Sequence, residues 1–148
     1  MINRTRKLRQ DVQRLLREDY NQRKEQLRTL PERIATEQAR LTSIRSASAE
    51  SAMLHGGGNV RQERDTAILV EIERLTVELD LARLEVQTID RILEVLSTQE
   101  RRCVELMDLN RQRNAVDRLC TELCFERAKI YDIHDTALDH FARLYWGC

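Results

Sequence analysis

The most constraining feature of this chain is a seam of apolar residues at alternating steps of four and three. It comprises Ile68, Ile72, Leu75, Leu79, Ala82, Val86, Ile89, Leu93 and Leu96. A heptad pattern held this long makes a helix that must bury its seam against another helix. Leu69, Val77, Leu81 and Leu84 widen the stripe, which points to more than one partner helix. The partner is the N-terminal part of the same chain, a second copy, or both. The residues Ile68, Ile72, Leu75, Leu79, Val86, Ile89 and Leu93 are therefore the candidate oligomerisation surface, and a homo-oligomer (a dimer or higher) is expected.

The N-terminal part can supply such a partner. Residues 5–29 read as a helix with Leu8, Val12, Leu15, Leu16 and Tyr20 on one side. Pro31 fits the first position of a new helix, where its missing N–H is no loss. That helix runs to about Arg45. Leu27, Leu30, Ile34, Leu41 and Ile44 also fit one continuing seam, so a kink or a break at Pro31 would each serve. Residues 46–59, SASAESAMLHGGGN, are small and polar and hold three successive glycines, the composition of a linker or mobile loop. No strand precedes the glycines and no Gly-Lys-Ser/Thr follows, so they do not form a P-loop. The loop lets the chain reverse, and Asn59 caps the next helix, which carries the heptads to Leu96. The expected architecture is all-α: a long helical hairpin or coiled coil over residues 1–96, with helices at about 5–45 and 60–96, then a small domain over residues 97–148.

Composition agrees. Charged residues make up 34% of the chain and aromatics 4%, with one proline, which suits helices rather than a turn-rich sheet. No apolar run approaches the roughly 20 residues of a membrane span. The stretch MINRTRKLRQ lacks the apolar core of a signal peptide. The expectation is a soluble, cytoplasmic protein with no membrane partner. The formal net charge is +0, but residues 1–45 carry +6, residues 46–96 carry −5 and residues 97–148 carry −1.

The tail is the part that points to a function. Ser97-Thr98-Gln99-Glu100 has the form of a capping box opening a helix to about Leu109. Residues 110–113 are a polar connection. Two short helices follow. The first carries Val116, Leu119, Cys120 and Leu123, and the second Ile130, Ile133, Ala137, Leu138 and Phe141. Only Cys124-Phe125-Glu126 is left for a turn. Two short helices joined so tightly form a helix-turn-helix, whose second helix can lie in a DNA major groove. Val104, Met107, Val116, Leu119, Leu123, Ile130, Ile133, Leu138 and Phe141 are its expected core.

The tail resembles region 4 of the sigma-70 family. The likeness lies in Leu96-Ser97-Thr98-Gln99-Glu100-Arg101-Arg102, in Asp117-Arg118-Leu119-Cys120-Thr121-Glu122-Leu123, in Arg127-Ala128-Lys129-Ile130-Tyr131-Asp132-Ile133-His134, and in Ala137-Leu138. In layout the whole chain resembles the ArpU- and RinA-type transcriptional regulators of phages and prophages. The resemblance implies a recognition helix from Arg127 to about Arg143. Its outward residues would be Arg127, Ala128, Lys129, Tyr131, Asp132, His134 and Asp135. It also implies that Arg111, Arg113, Asn114 and Arg118 meet the DNA backbone. The implied partner is duplex DNA, and the coiled coil would dimerise the protein or contact host RNA polymerase. The alternative is a coiled-coil adaptor whose tail docks a protein such as a polymerase subunit. Against the family pattern, Cys124 stands where the turn usually has Gly. Glu126 stands where Ser or Thr usually caps, and Asp132, Asp135 and Asp139 place negative charge on the recognition helix.

Little speaks for catalysis or a cofactor. His55, His134 and His140 are scattered, and no nucleophile–base pair or paired carboxylates stand at useful spacing. Cys120 and Cys124 share a helix face, and His134 or His140 would complete a zinc set, yet the spacing matches no strong zinc pattern. Buried reduced thiols fit Cys103, Cys120, Cys124 and Cys148 better. The expectation is a protein that is not an enzyme and holds no metal.

Overall fold

The computed structural model describes residues 2–55 and 59–147. Among them every regular element is a helix, so the fold is all-α. Helix α1 (Ile2–Arg14) runs through a π-helical turn (Leu15–Asp19) into α2 (Tyr20–His55). Helix α3 spans Asn59–Val95 and α4 spans Thr98–Val104, followed by a second π-helical turn (Glu105–Leu109). Helix α5 (Ala115–Leu123) and helix α6 (Arg127–Trp146) complete the chain. No helix among the described residues is long and apolar enough to cross a membrane.

Of the two readings of Pro31 the continuing seam holds: Pro31 lies exposed inside α2 and starts no new helix. One local expectation is corrected. The chain from Ser46 to His55, read as loop, continues α2. Its Ala, Ser, Glu, Met and Leu residues are tolerable to good helix formers, so its small, polar character did not mark a break. The three glycines Gly56 to Gly58 lie outside the described residues.

The chain divides into two compact units, Lys24–Leu84 and the remainder. In the first, α2 and α3 pack antiparallel. Leu30 of α2 meets Leu75 and Leu79 of α3, with Leu27 and Ile34 beside them. Arg33 reaches Glu71 at 3.9 Å and Arg45 reaches Asp65 at 3.4 Å along the same pairing. The heptad seam is thus covered from within the chain: Ile68, Leu75, Leu79, Val86, Ile89 and Leu93 are buried and Ile72 half-buried. Assigning these residues to oligomerisation is corrected accordingly: six of the seven are buried within the chain, Leu75 and Leu79 of them against Leu30 of α2.

The second unit gathers α1, the adjoining ends of α2 and α3, and everything from α4 onward. The boundary expected between Leu96 and Ser97 falls inside it. Its centre is α6, which packs against α1, α4 and α5. The helix-turn-helix core joins Cys103, Leu106, Leu119, Ile130 and Ile133, with Met107, Val116, Leu123 and Phe125 against them. Leu138 and Phe141 are also buried. Ser97 caps α4 as expected, its Oγ accepting the Glu100 N–H at 3.2 Å. The Glu100 carboxylate does not close the box; it faces His140 Nδ1 at 3.2 Å. Arg101 donates to the Leu93 carbonyl at 2.8 Å and the Glu94 carbonyl at 2.7 Å. These carbonyls have no partner within α3, and a cation is favoured at that end of a helix, so the chain can turn there without glycine.

Candidate nucleic-acid interface

Helix α5 opens after a connection folded back on the second π-helical turn. Gln112 N–H donates to the Leu106 carbonyl at 3.1 Å, and Ala115 N–H donates to the Gln112 carbonyl at 3.2 Å. This brings Arg111, Arg113 and Asn114 to the start of α5. The turn to α6 rests on Cys124, whose φ of 58° and ψ of 39° are left-handed. Glu126 then enters α6 in extended conformation without a side-chain cap. The Arg127 guanidinium binds the Asp117 carboxylate and ties the first turn of α6 to the first turn of α5.

Between these two helix starts lies an open cleft of about 630 Å³. Arg111, Arg113, Asn114 and Asp117 line it from the connection and α5, Arg127 and Tyr131 from α6, and Arg17 from the first π-helical turn. Arg111 and Arg113 are exposed and have no ion pair among the described residues. The cleft therefore carries more guanidinium than carboxylate, with the positive end of α5 opening onto it. That is an arrangement suited to phosphate oxygens. Five of the ten residues assigned to DNA meet here: Arg111, Arg113, Asn114, Arg127 and Tyr131.

The other five are placed differently. Ala128 is exposed on α6. Lys129 and Asp132 border a shallower hollow of about 220 Å³ with Ser97, Gln99 and Thr136. Arg118 is exposed and donates to Gln112 Oε1 at 2.6 Å. His134 is a correction. It is 4% exposed, and its Nε2 lies 2.6 Å from Asp108 Oδ2. It shares the stripe of Ile130, Ala137, Leu138 and Phe141, so its side chain points into the core and away from any groove.

Asp108, only 2% exposed, also accepts Arg17 Nε at 3.0 Å. Arg17 and Asp108 each sit in a π-helical turn, so this chain from half-buried Arg17 through buried Asp108 and His134 joins both irregular turns to α6. On the next face of α6, Arg9 of α1 forks onto Asp139, with bonds of 2.8 and 2.7 Å, and reaches Asp135 at 3.2 Å. Two of the three acidic residues that opposed a DNA-facing α6 are thus bound by α1. Asp135, expected to point outward, is half-buried by it. Arg9, Arg17 and Asp108 were not found from the sequence, since helical spacing carries no signal for partners on distant helices.

Of the thiols, Cys103 is buried and Cys120 half-buried, while Cys124 is exposed, contrary to its expected burial. Burial, with a smaller push from the Glu100 carboxylate, raises the Cys103 thiol to about 11. Cys148 lies outside the described residues.

Comparison with family models, with curated proteins and with solved structures finds no match.

Proposed function

We propose that this protein is a duplex-DNA-binding transcriptional regulator of the phage and prophage kind its sequence resembles. The observation that carries the reading is the cleft between the starts of α5 and α6. Arg111, Arg113, Asn114, Arg127 and Tyr131 converge there, although they come from a loop and two helices. The cleft would hold the DNA backbone, while Ala128 and Asp132, exposed on the first turns of α6, would face base edges. The Arg9 clamp supports the reading, because it holds Asp135 and Asp139 on the α1 side of α6 and offsets one of their charges.

The test is fluorescence anisotropy on labelled random duplex DNA across a salt series. Binding should weaken steeply with salt. Arg111→Ala with Arg113→Ala should lower the slope of log K against log salt by about 2, since each lost phosphate contact removes roughly 0.9. An unchanged slope would remove the cleft from the interface, and absence of binding at low salt would remove the function.

A second reading, a coiled-coil adaptor docking a protein such as host RNA polymerase, is favoured by one observation. Val70, Val77 and Leu81 stand 59%, 52% and 53% exposed along one face of α3. Glu73 and Asp80 flank this face and would repel the same face of a second copy. Normal binding of a partner protein by a chain that retains no DNA would establish the adaptor.

A further inference from the structure

A second basic feature lies outside the helix-turn-helix. Helix α1 runs antiparallel to α6: Arg9 pairs with Asp135 and Asp139, while Arg17, two turns on, reaches the cleft beside Arg127 and Tyr131. Between α1 and α6 is an open groove of about 590 Å³. Thr5, Arg6, Gln10 and Gln13 line its α1 side, and Asp135 and Leu138 its α6 side. Arg9 is committed to the two aspartates and offsets one of their two charges, and Arg6 stands beside them in the groove. Arg6 is exposed and has no ion pair among the described residues, and the same is true of Lys7 and Arg14 on the outer side of α1.

Gln13, which lines the groove, and Arg17, which lines the cleft, stand one turn apart on α1 and the π-helical turn that continues it. Arg6, Gln10, Gln13 and Arg17, at steps of four, three and four, thus make one polar track along that side of the helix. From Arg6 to Arg17 the track extends roughly 16 Å by helical rise. One DNA strand presents a phosphate roughly every 3.4 Å of helix axis, so the track accommodates several in succession. Its chemistry suits that ligand. Guanidinium binds phosphate in a bidentate fork, and Gln and Thr side chains donate to phosphate oxygens without reading bases.

We infer that the α1–α6 groove is a second seat for the DNA backbone, extending the cleft along one strand, with Arg6 as its central contact and Gln10 and Gln13 as neutral donors. The inference rests on the DNA-binding reading above and adds an element that the helix-turn-helix does not contain. In this arrangement Arg9 is a positioning residue: it holds α1 against α6 and touches no phosphate.

The experiment is the same anisotropy salt series on the full chain, with three variants. Arg6→Ala with Gln10→Ala tests the groove, Arg111→Ala with Arg113→Ala tests the cleft, and Arg64→Ala with Gln62→Ala removes the same charge and a like amide from residues 24–84. Circular dichroism checks that each remains helical. The expected result is a slope lowered by about 1 for the groove pair, with the 24–84 pair unchanged. A wild-type slope in the groove pair, with loss in the cleft pair, overturns the groove and leaves the function standing. Equal loss in the 24–84 pair also overturns it, since bulk charge would then explain the effect. No binding by the wild-type chain at low salt ends both.

Discussion

Cys124 is the one non-glycine residue with positive φ among the described residues, and it occupies the turn on which the two tail helices hinge. A Cβ in the left-handed region costs about 1–2 kcal/mol. Cys124→Gly should therefore raise stability by about 0.5–1 kcal/mol after the greater freedom of the unfolded chain is subtracted, and thermal unfolding will read it. Asp108 makes the opposite case. Its carboxylate is buried between Arg17 and His134. Asp108→Ala strands both partners and should destabilise the protein by about 3 kcal/mol in urea unfolding. The two residues also differ in how legible they are. The strain at Cys124 can be anticipated, because the turn has a single place for a left-handed residue. Asp108 reads as one more acid on a charged helix. Nothing local says that it faces inward, because its partners lie 91 residues before it and 26 after it.

Helix existence followed from spacing and a cap: the heptads of α3, and Ser97 at the head of α4. What spacing could not supply was which partner covers which face. The heptad seam of α3 and its outer stripe are both apolar, yet α2 takes the first and leaves Val70, Val77 and Leu81 exposed. The two faces should respond differently to substitution. Leu75→Ala empties a site that is 1% exposed between Leu27, Leu30 and Ile34, and should cost about 3 kcal/mol. Leu81→Glu lies on the outer stripe and should change stability by less than about 0.5 kcal/mol. Chemical denaturation of both variants checks the contrast. Equal losses would mean that the outer stripe is covered too. The π-helical turns were equally hidden, since packing of buried neighbours on each side outweighs local propensity.

At the scale of the whole molecule, the neutral net charge conceals a division of labour. The acidic stretch of α3 and the basic N-terminal stretch pair along the hairpin through Arg33–Glu71 and Arg45–Asp65. Among the described residues, the exposed cations Arg6, Lys7, Arg14, Arg111, Arg113 and Lys129, which have no ion pair, belong to the unit that contains α6, and Arg64 belongs to the other. A salt-dependent interaction would thus come from local placement rather than from overall charge. The clamp of α1 on α6 has one further consequence, for the order in which the chain assembles. Arg9 and Asp139 are 130 residues apart. Helix α1 therefore leaves the ribosome long before its partner exists. Pairing of α2 with α3 needs only chain made sooner, and can proceed while synthesis continues. Until α6 emerges, Val12 and Leu16 lack the helix against which α1 packs, so the newly made chain has a period in which it is exposed to wrong association. The surface proposed to hold DNA is completed last, after synthesis has passed α6.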